Sequence, residues 1–347
     1  MSNPMTPAQI LKRAEGGDGD AAVMLSRLLD REGRYDEALQ WLAKAANSGH
    51  LLASTVLGAR LVSARGAPHD PVRGADFIHR AAAKGQADAA AYASVLAATG
   101  VGRPQDWDDA MAGLAMAAAM GHERSQLALP VARSMTLAEW LAPSASHRAA
   151  ADPADMRVEV FPGFVSPAVC DWIVAQSKGF LRPAPVYNAA GAGLEDQART
   201  NSGTGFSLLD LDVVFALVRA RIAAAIPQPI ETLETTNVLH YAVGQKFSPH
   251  FDFIDPATPE LAADVAGKGQ RTGTFLIYLN DGYEGGETDF PVLGRKIRGA
   301  KGDALYFRNV DEAGNPDPRT YHAGLPPTAG EKWVLSQWMR SQPQLQL

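Results

Sequence analysis

From Thr6 to about residue 130, apolar positions recur three and four residues apart on a background rich in Ala and Leu. That spacing puts them on one face of an α-helix and predicts a run of helices. After Arg157 the pattern changes. Val158–Phe161 reads as a strand, and Pro167–Gln176 as a helix with Ser166 as N-cap and Pro167 at its first position. A second helix is predicted from Asp212 to Ala225, and Leu181–Thr204 between them as a long irregular loop that could be functional. From Leu233 onward, short β runs between Gly/Pro turns dominate: Thr235–Val243, Thr272–Asn280, Asp303–Phe307 and Glu331–Arg340. They predict a sandwich or jelly roll. On the last run, Lys332, Val334, Ser336 and Trp338 share one face, and Trp333, Leu335, Gln337 and Met339 the other. Both faces are mostly apolar, so the strand is expected to be covered on both sides. A lysine in such an interior needs an anionic partner or loses its charge.

The helical part repeats itself. Trp41–Gly49, Phe77–Gly85 and Gly113–Gly121 align, each glycine 36 residues after the last. Ala38, Gly74 and Ala110 keep that step, as do Ala53, Ala89 and Ser125, and a shorter unit ends at Gly17. A fixed period of this size predicts stacked helical hairpins rather than an irregular Ala-rich bundle. Small residues allow close helix approach, and the glycines stand where a helix end needs a left-handed residue. The residues Leu141–Met156 carry Pro, Ser, Ala and Asp without apolar periodicity and read as a linker, with His147 a solvated part of it. The domains expected are therefore 6–135 for the repeats, 136–156 for the linker and 157–341 for the β-rich part.

Composition narrows the classes. The 347 residues are 46% hydrophobic and 20% charged, an ordinary globular balance. A net charge of -6 with no basic run argues against a nucleic-acid partner. The start of the chain does not read as a signal peptide, and no window reaches membrane-span length, so no membrane association is expected. Cys170 is the only cysteine, which makes the cytoplasm the simplest expectation.

The candidate chemistry centres on His250-Phe251-Asp252. On an extended strand residues two apart face the same side, so one cation could touch both side chains. Two His and one carboxylate on one face of an ion is the arrangement of non-haem Fe(II) oxygenases. His-x-Asp alone is a weak signal, equally compatible with a hydrogen-bonded pair at a strand end. His322 lies 72 residues after His250, with Lys332 ten further on. Taken singly, these could be a turn histidine and a surface lysine.

The combination is more specific. Tyr241–Asp252, Tyr278-Leu-Asn, Gly285–Pro291, Lys301–Phe307 and His322–Trp333 together resemble the prolyl 4-hydroxylase branch of the Fe(II)/2-oxoglutarate-dependent dioxygenases, over about residues 158–341. The repeats resemble the Sel1-like branch of tetratricopeptide-type arrays over about 110 residues, although the usual Gly-rich loop in each unit is degraded. The resemblances imply a multidomain α + β protein, with an N-terminal α-helical repeat array (an α/α solenoid) and a C-terminal double-stranded β-helix, or jelly roll, with flanking helices. They imply His250, Asp252 and His322 as iron ligands. They also imply Lys332, Tyr241, Thr288 and Ser336 as contacts to 2-oxoglutarate, and Arg199, Tyr278 and Trp338 around the substrate. O2 and 2-oxoglutarate would be co-substrates, ascorbate the reductant, and a protein or peptide the substrate, in a procollagen-proline 4-dioxygenase-like reaction. Phe247 and Phe253 stand where the family often has Tyr, and neither is expected to touch the ligands.

Three readings stay open at this point. The enzyme could hydroxylate a peptidyl proline, with the array holding the protein. It could act by the same mechanism on another side chain, a free amino acid or a small molecule. It could be a non-enzymatic interaction protein. The array is expected to bind a protein partner or to position a protein substrate, with a structural appendage or a dimerisation surface as the rival reading. The segment Asp255–Gln270 could be a lid or a turn.

Overall fold

The computed structural model describes residues 5–142, 149–152, 155–184, 186–187, 193–194, 197–226, 228–311 and 313–344. The chain divides into two compact units, one holding the residues up to Arg133 together with Leu208–Ala216 and the other holding most of the rest.

The first unit is a helical repeat array. Its helices are α1 (Pro7–Glu15), α2 (Gly19–Arg31), α3 (Tyr35–Asn47), α4 (Leu51–Ser63), α5 (Pro71–Ala83), α6 (Ala87–Thr99), α7 (Trp107–Ala119) and α8 (Glu123–Ala132). One hairpin device recurs. Gly17, Gly49, Gly85 and Gly121 all have φ between 89 and 91°. The glycine N–H donates to a carbonyl three residues back and the next N–H to one five residues back, as in Gly49→Ala46 and His50→Ala45. This double bond closes the last turn of a helix and needs a left-handed residue at that point. The residue after each glycine then caps the next helix. Asp18, His50, Gln86 and His122 accept from the backbone N–H of Ala21, Ala53, Ala89 and Ser125. Those four small residues are buried, which is why the repeat keeps them small. Close approach is reciprocal between α4 and α5. A Cβ at Gly58 would sit 2.6 Å from the Gly74 carbonyl oxygen, and one at Gly74 2.7 Å from that of Gly58.

The second unit is built on two antiparallel sheets. The larger runs Ala149–Asp152, Asp155–Phe161, Ala304–Arg308, Arg271–Tyr278, Lys332–Arg340, Thr236–Tyr241, Ser202–Phe206, Arg182–Pro183. The smaller runs Arg295–Ile297, Thr288–Phe290, His322–Gly324, Phe247–His250. Leu276, Tyr278, Leu305, Phe307 and Val334 of the first share a core with Phe290 of the second. Two sheets closing an apolar interior make the expected jelly roll. The helix Pro167–Ser177 buries Val169, Cys170, Trp172 and Ile173, and a second helix covers Val213–Ala225, its first turn capped by Asp212.

Two expectations change. The segment 136–156 is not all linker. Thr136 and Glu139 form a reciprocal capping box that starts the helix Leu137–Leu141, whose Trp140 is fully buried. Residues 149–152 then begin the larger sheet, paired with the strand Asp155–Phe161. His147, and part of the 181–204 loop, lie outside the described residues. Asp255–Gln270 contains a helix, Pro259–Lys268, capped by Thr258, and is neither a bare turn nor an open loop.

Candidate metal centre and co-substrate pocket

The strands Phe247–His250 and His322–Gly324 pair so that His322 stands directly opposite His250. Antiparallel pairing thus brings together two imidazoles 72 residues apart. Each ring is oriented by the same local device. His250 Nδ1 lies 2.8 Å from the Ser248 carbonyl oxygen and His322 Nδ1 2.9 Å from that of Thr320. A carbonyl can only accept, so each Nδ1 carries the proton and each Nε2 keeps its lone pair. Asp252, just past the strand end, meets both: Oδ1 is 3.5 Å from His250 Nε2 and Oδ2 3.6 Å from His322 Nε2. All three ligand atoms lie within 4.8 Å of one another. Asp252 is held further by the Thr274 hydroxyl, which donates to Oδ2 at 2.7 Å.

Burial and charge set the protonation states. Burial, followed by the neighbouring His250, lowers the His322 pKa to about 4, so the ring is a neutral ligand at pH 7. Burial opposes the Asp252 carboxylate. Where they carry protons at low pH, the His322 and His250 imidazoles, with the Thr274 hydroxyl, nevertheless keep its pKa well below the ordinary carboxylate range. Two neutral imidazole nitrogens and one carboxylate, with no thiolate near, fit a divalent first-row ion such as Fe(II).

Behind this cluster runs a cleft walled by one face of the last strand, Lys332, Val334, Ser336 and Trp338, together with Tyr241, Leu239, Leu276 and Thr288. Lys332 stands opposite Tyr241 across the strand pair. Lys332 is 2% exposed, and its ammonium lies 5.2 Å from the Tyr241 ring centre and 5.8 Å from that of Tyr278. Among the described residues no carboxylate forms an ion pair with it. Burial pulls its pKa down to about 8, only partly offset by Glu287. At about 1.4 kcal/mol per unit, keeping the amine charged costs on the order of 3 kcal/mol. An entering anion would recover that cost. Burial also raises the Tyr241 pKa to about 12, so its phenol stays a neutral donor.

The sequence model of the 2OG-Fe(II) oxygenase superfamily matches residues 236–340, the stretch that supplies all of these side chains except Arg199. Probable prolyl 4-hydroxylase 9 of Arabidopsis thaliana is 34% identical over 206 residues, covering 54% of this chain and 70% of that protein. The chain belongs to the prolyl 4-hydroxylase family of 2OG-Fe(II) oxygenases. Probable prolyl 4-hydroxylase 7 from the same plant is 34% identical over 203 residues, and there the match spans 62% of the relative's length and 53% of this chain. Among solved structures, the viral collagen prolyl hydroxylase of Paramecium Bursaria Chlorella virus-1 in its 2OG complex matches 53% of this chain and 96% of its own, at 28% identity and a TM-score of 0.41. A Sel1 repeat protein from Oxalobacter formigenes matches 35% of this chain and 96% of its own, at 30% identity and a TM-score of 0.32.

Within this prolyl 4-hydroxylase-family unit, Tyr241, Thr288, Lys332, Ser336, Trp338 and Arg199 all line the cleft with the three candidate ligands. Tyr278 does not. It is fully buried behind the wall, where its hydroxyl meets Thr288 Oγ1 at 3.1 Å. On this strand Tyr278 faces the packed apolar core, so it supports a lining residue instead of lining the cleft itself. Phe247 also departs from expectation. Its ring stacks on His250 with centres 3.5 Å apart, and the Arg199 guanidinium lies over the same ring, 4.4 Å from its centre. On a regular strand residues three apart face opposite sides. Stacking needs the irregular register that the structure shows between the paired strands. Thr274 was missed altogether. Its only signal was a hydroxyl on the same strand face as Leu276 and Tyr278.

Proposed function

We propose that this protein is an Fe(II)- and 2-oxoglutarate-dependent dioxygenase that hydroxylates a prolyl residue in a protein or peptide. The observation that carries the reading is a buried lysine, with no ion-pair partner among the described residues, in the same cleft as a His–Asp–His cluster. A dicarboxylic acid bridging a metal and an ammonium satisfies both ends of such a cleft. Iron, when bound, would couple the oxidative decarboxylation of 2-oxoglutarate, to succinate and carbon dioxide, with insertion of one oxygen atom of O2 into a substrate C–H bond.

His250, Asp252 and His322 would hold the metal. Lys332 would take the distal carboxylate, with Tyr241 and Thr288 donating to it and Ser336 beside them. Val334, Leu239 and Leu276 keep water from that end of the cleft. Arg199, braced by its Nε–H donating to Asn201 Oδ1 at 3.1 Å and by the Phe247 ring, would face the substrate with Trp338. Ascorbate would serve as reductant. The repeat array supports a protein rather than a free amino acid as substrate, since stacked hairpins offer an extended surface. The cytoplasm belongs to the same proposal, supported by a single, buried cysteine.

The test uses the full chain with Fe(II), ascorbate and 2-oxoglutarate on proline-rich peptides, read by mass spectrometry. A gain of one oxygen on proline, absent with Asp252→Ala, is the expected result. Succinate production with oxygen found only on another residue or on a small molecule would overturn the prolyl assignment.

A further inference from the structure

Resting on the metal-site reading above, we propose that Thr274 is a positioning residue for that site and that Asn309 sets the direction of its hydrogen bond. Thr274 Oγ1 donates to Asp252 Oδ2 at 2.7 Å, and Asn309 Nδ2 donates to Thr274 Oγ1 at 3.1 Å. The relay is dry: Thr274 and Asn309 are each 1% exposed and Asp252 6%. A hydroxyl has one proton to give, so its direction depends on what its other neighbour offers. With the Asn309 amide donating, the Thr274 proton must point at the carboxylate. With that amide reversed, its carbonyl would claim the proton, and two oxygens 2.7 Å apart would face each other with lone pairs only.

The orientation has a cost that marks it as selected by the site. Asn309 Oδ1 is buried with no hydrogen-bond partner among the described residues. An orphaned buried acceptor costs about 1–3 kcal/mol. The supports are rigid where the ligand is not. Thr274 lies mid-strand, opposite Phe307 on one side and Trp338 on the other. Asn309 N–H donates to the Thr272 carbonyl at 3.0 Å, which holds the residue at the end of the neighbouring strand. Asp252 itself follows the end of its strand, and apart from the two candidate-ligand imidazoles it is the Thr274 hydroxyl that holds its carboxylate. Partners of this kind orient a metal ligand, and their loss weakens metal affinity.

The test is Mn(II) binding by the full chain, followed by the paramagnetic resonance signal of the free ion, with thermal unfolding of the metal-free protein in parallel. Thr274→Val keeps shape and removes the hydroxyl, and should weaken Mn(II) roughly 10–100-fold. Thr274→Ser restores the donor and should bind within about three-fold of wild type. Asn309→Leu should weaken binding in the wild-type background and add nothing on top of Thr274→Val, the mark of one shared pathway. Should Thr274→Val fail to fold, Thr274→Ser and Asn309→Leu still decide the matter: Asn309→Leu binding as wild type, or Thr274→Ser weakening Mn(II) roughly ten-fold or more, would overturn the relay. Thr274→Val binding as wild type, Val and Ser losing affinity equally, or Asn309→Leu adding fully to Thr274→Val would overturn the relay. A wild type that does not bind Mn(II) would overturn the metal-site reading itself, and the relay with it.

Discussion

The repeat array and the β unit solve opposite problems. In the array, each structural decision is local. A left-handed glycine, the cap one residue later and a small buried residue three further on settle a hairpin within a few positions. The β unit's site is assembled from distant segments: Asp252 meets Thr274, His322 and, through the strands around it, Lys332. The array places no charge in the reciprocal close contact where Gly58 and Gly74 meet. The site buries a carboxylate, an imidazole and an ammonium together in one cleft. Stability in the first comes from fit. The second accepts electrostatic cost that a metal and an anion would relieve.

The contrast gives a graded set of expectations. The largest effect falls on the ligands: His250→Ala or Asp252→Ala should abolish metal-dependent turnover, while circular dichroism shows a folded chain. Next, Lys332→Ala should weaken 2-oxoglutarate binding by about 30-fold or more, the effect of truncating one partner of a buried charge pair. The same substitution should raise the melting temperature of the ligand-free protein, because it removes a buried cation that lacks an anion. If that melting temperature falls instead, Lys332 is paired in solution and the account of the cleft is wrong.

Titration offers a third handle, smaller than the ligand effects. The Lys332 amine is charged below its pKa of about 8, so 2-oxoglutarate affinity should decline as pH rises past about 8. Stability of the ligand-free protein should move the other way. Between about pH 8 and 10.5 the unfolded chain, with its lysine near 10.5, binds more protons than the folded one, so that term rises with pH. Calorimetry across that range checks both signs, with Lys332→Ala as the flat control.

The array variants should be smaller still and of another kind. Gly58→Val has no room against the Gly74 carbonyl and should cost about 1–3 kcal/mol by overpacking. Gly85→Ala should cost about 1–2 kcal/mol, since its φ of +89° is strained for any side chain although space is open around it. Denaturant titration measures both. Gly58 has ordinary helical backbone, so a cost near zero for Gly58→Val would mean that close approach contributes nothing in the array.

How far each region was legible follows from the same contrast. The 36-residue step fixed the hairpin ends, and the alternation on the last strand correctly put Lys332, Val334, Ser336 and Trp338 on one wall. What escaped had either a weak local signal or a remote partner. The helix Leu137–Leu141 carried a Thr136/Glu139 capping box, but five residues give no periodicity to notice. The helix Pro259–Lys268 had its Thr-Pro start, yet it buries no residue fully and so shows no strong apolar stripe. Thr274 looked like any strand threonine, because its partner Asp252 stands 22 residues earlier and on the opposite sheet's side of the cleft. The assignment of Leu208–Ala216 to the array's unit came from nothing in the repeat pattern, and it means that a cut at residue 135 removes part of that unit.

The most direct test of the central claim is succinate formation by the full chain with Fe(II), ascorbate and 2-oxoglutarate, wild type against His322→Ala. Succinate from the wild type alone is the predicted result. Equal succinate from both proteins, or none from the wild type together with no binding of Fe(II) and 2-oxoglutarate, would contradict it.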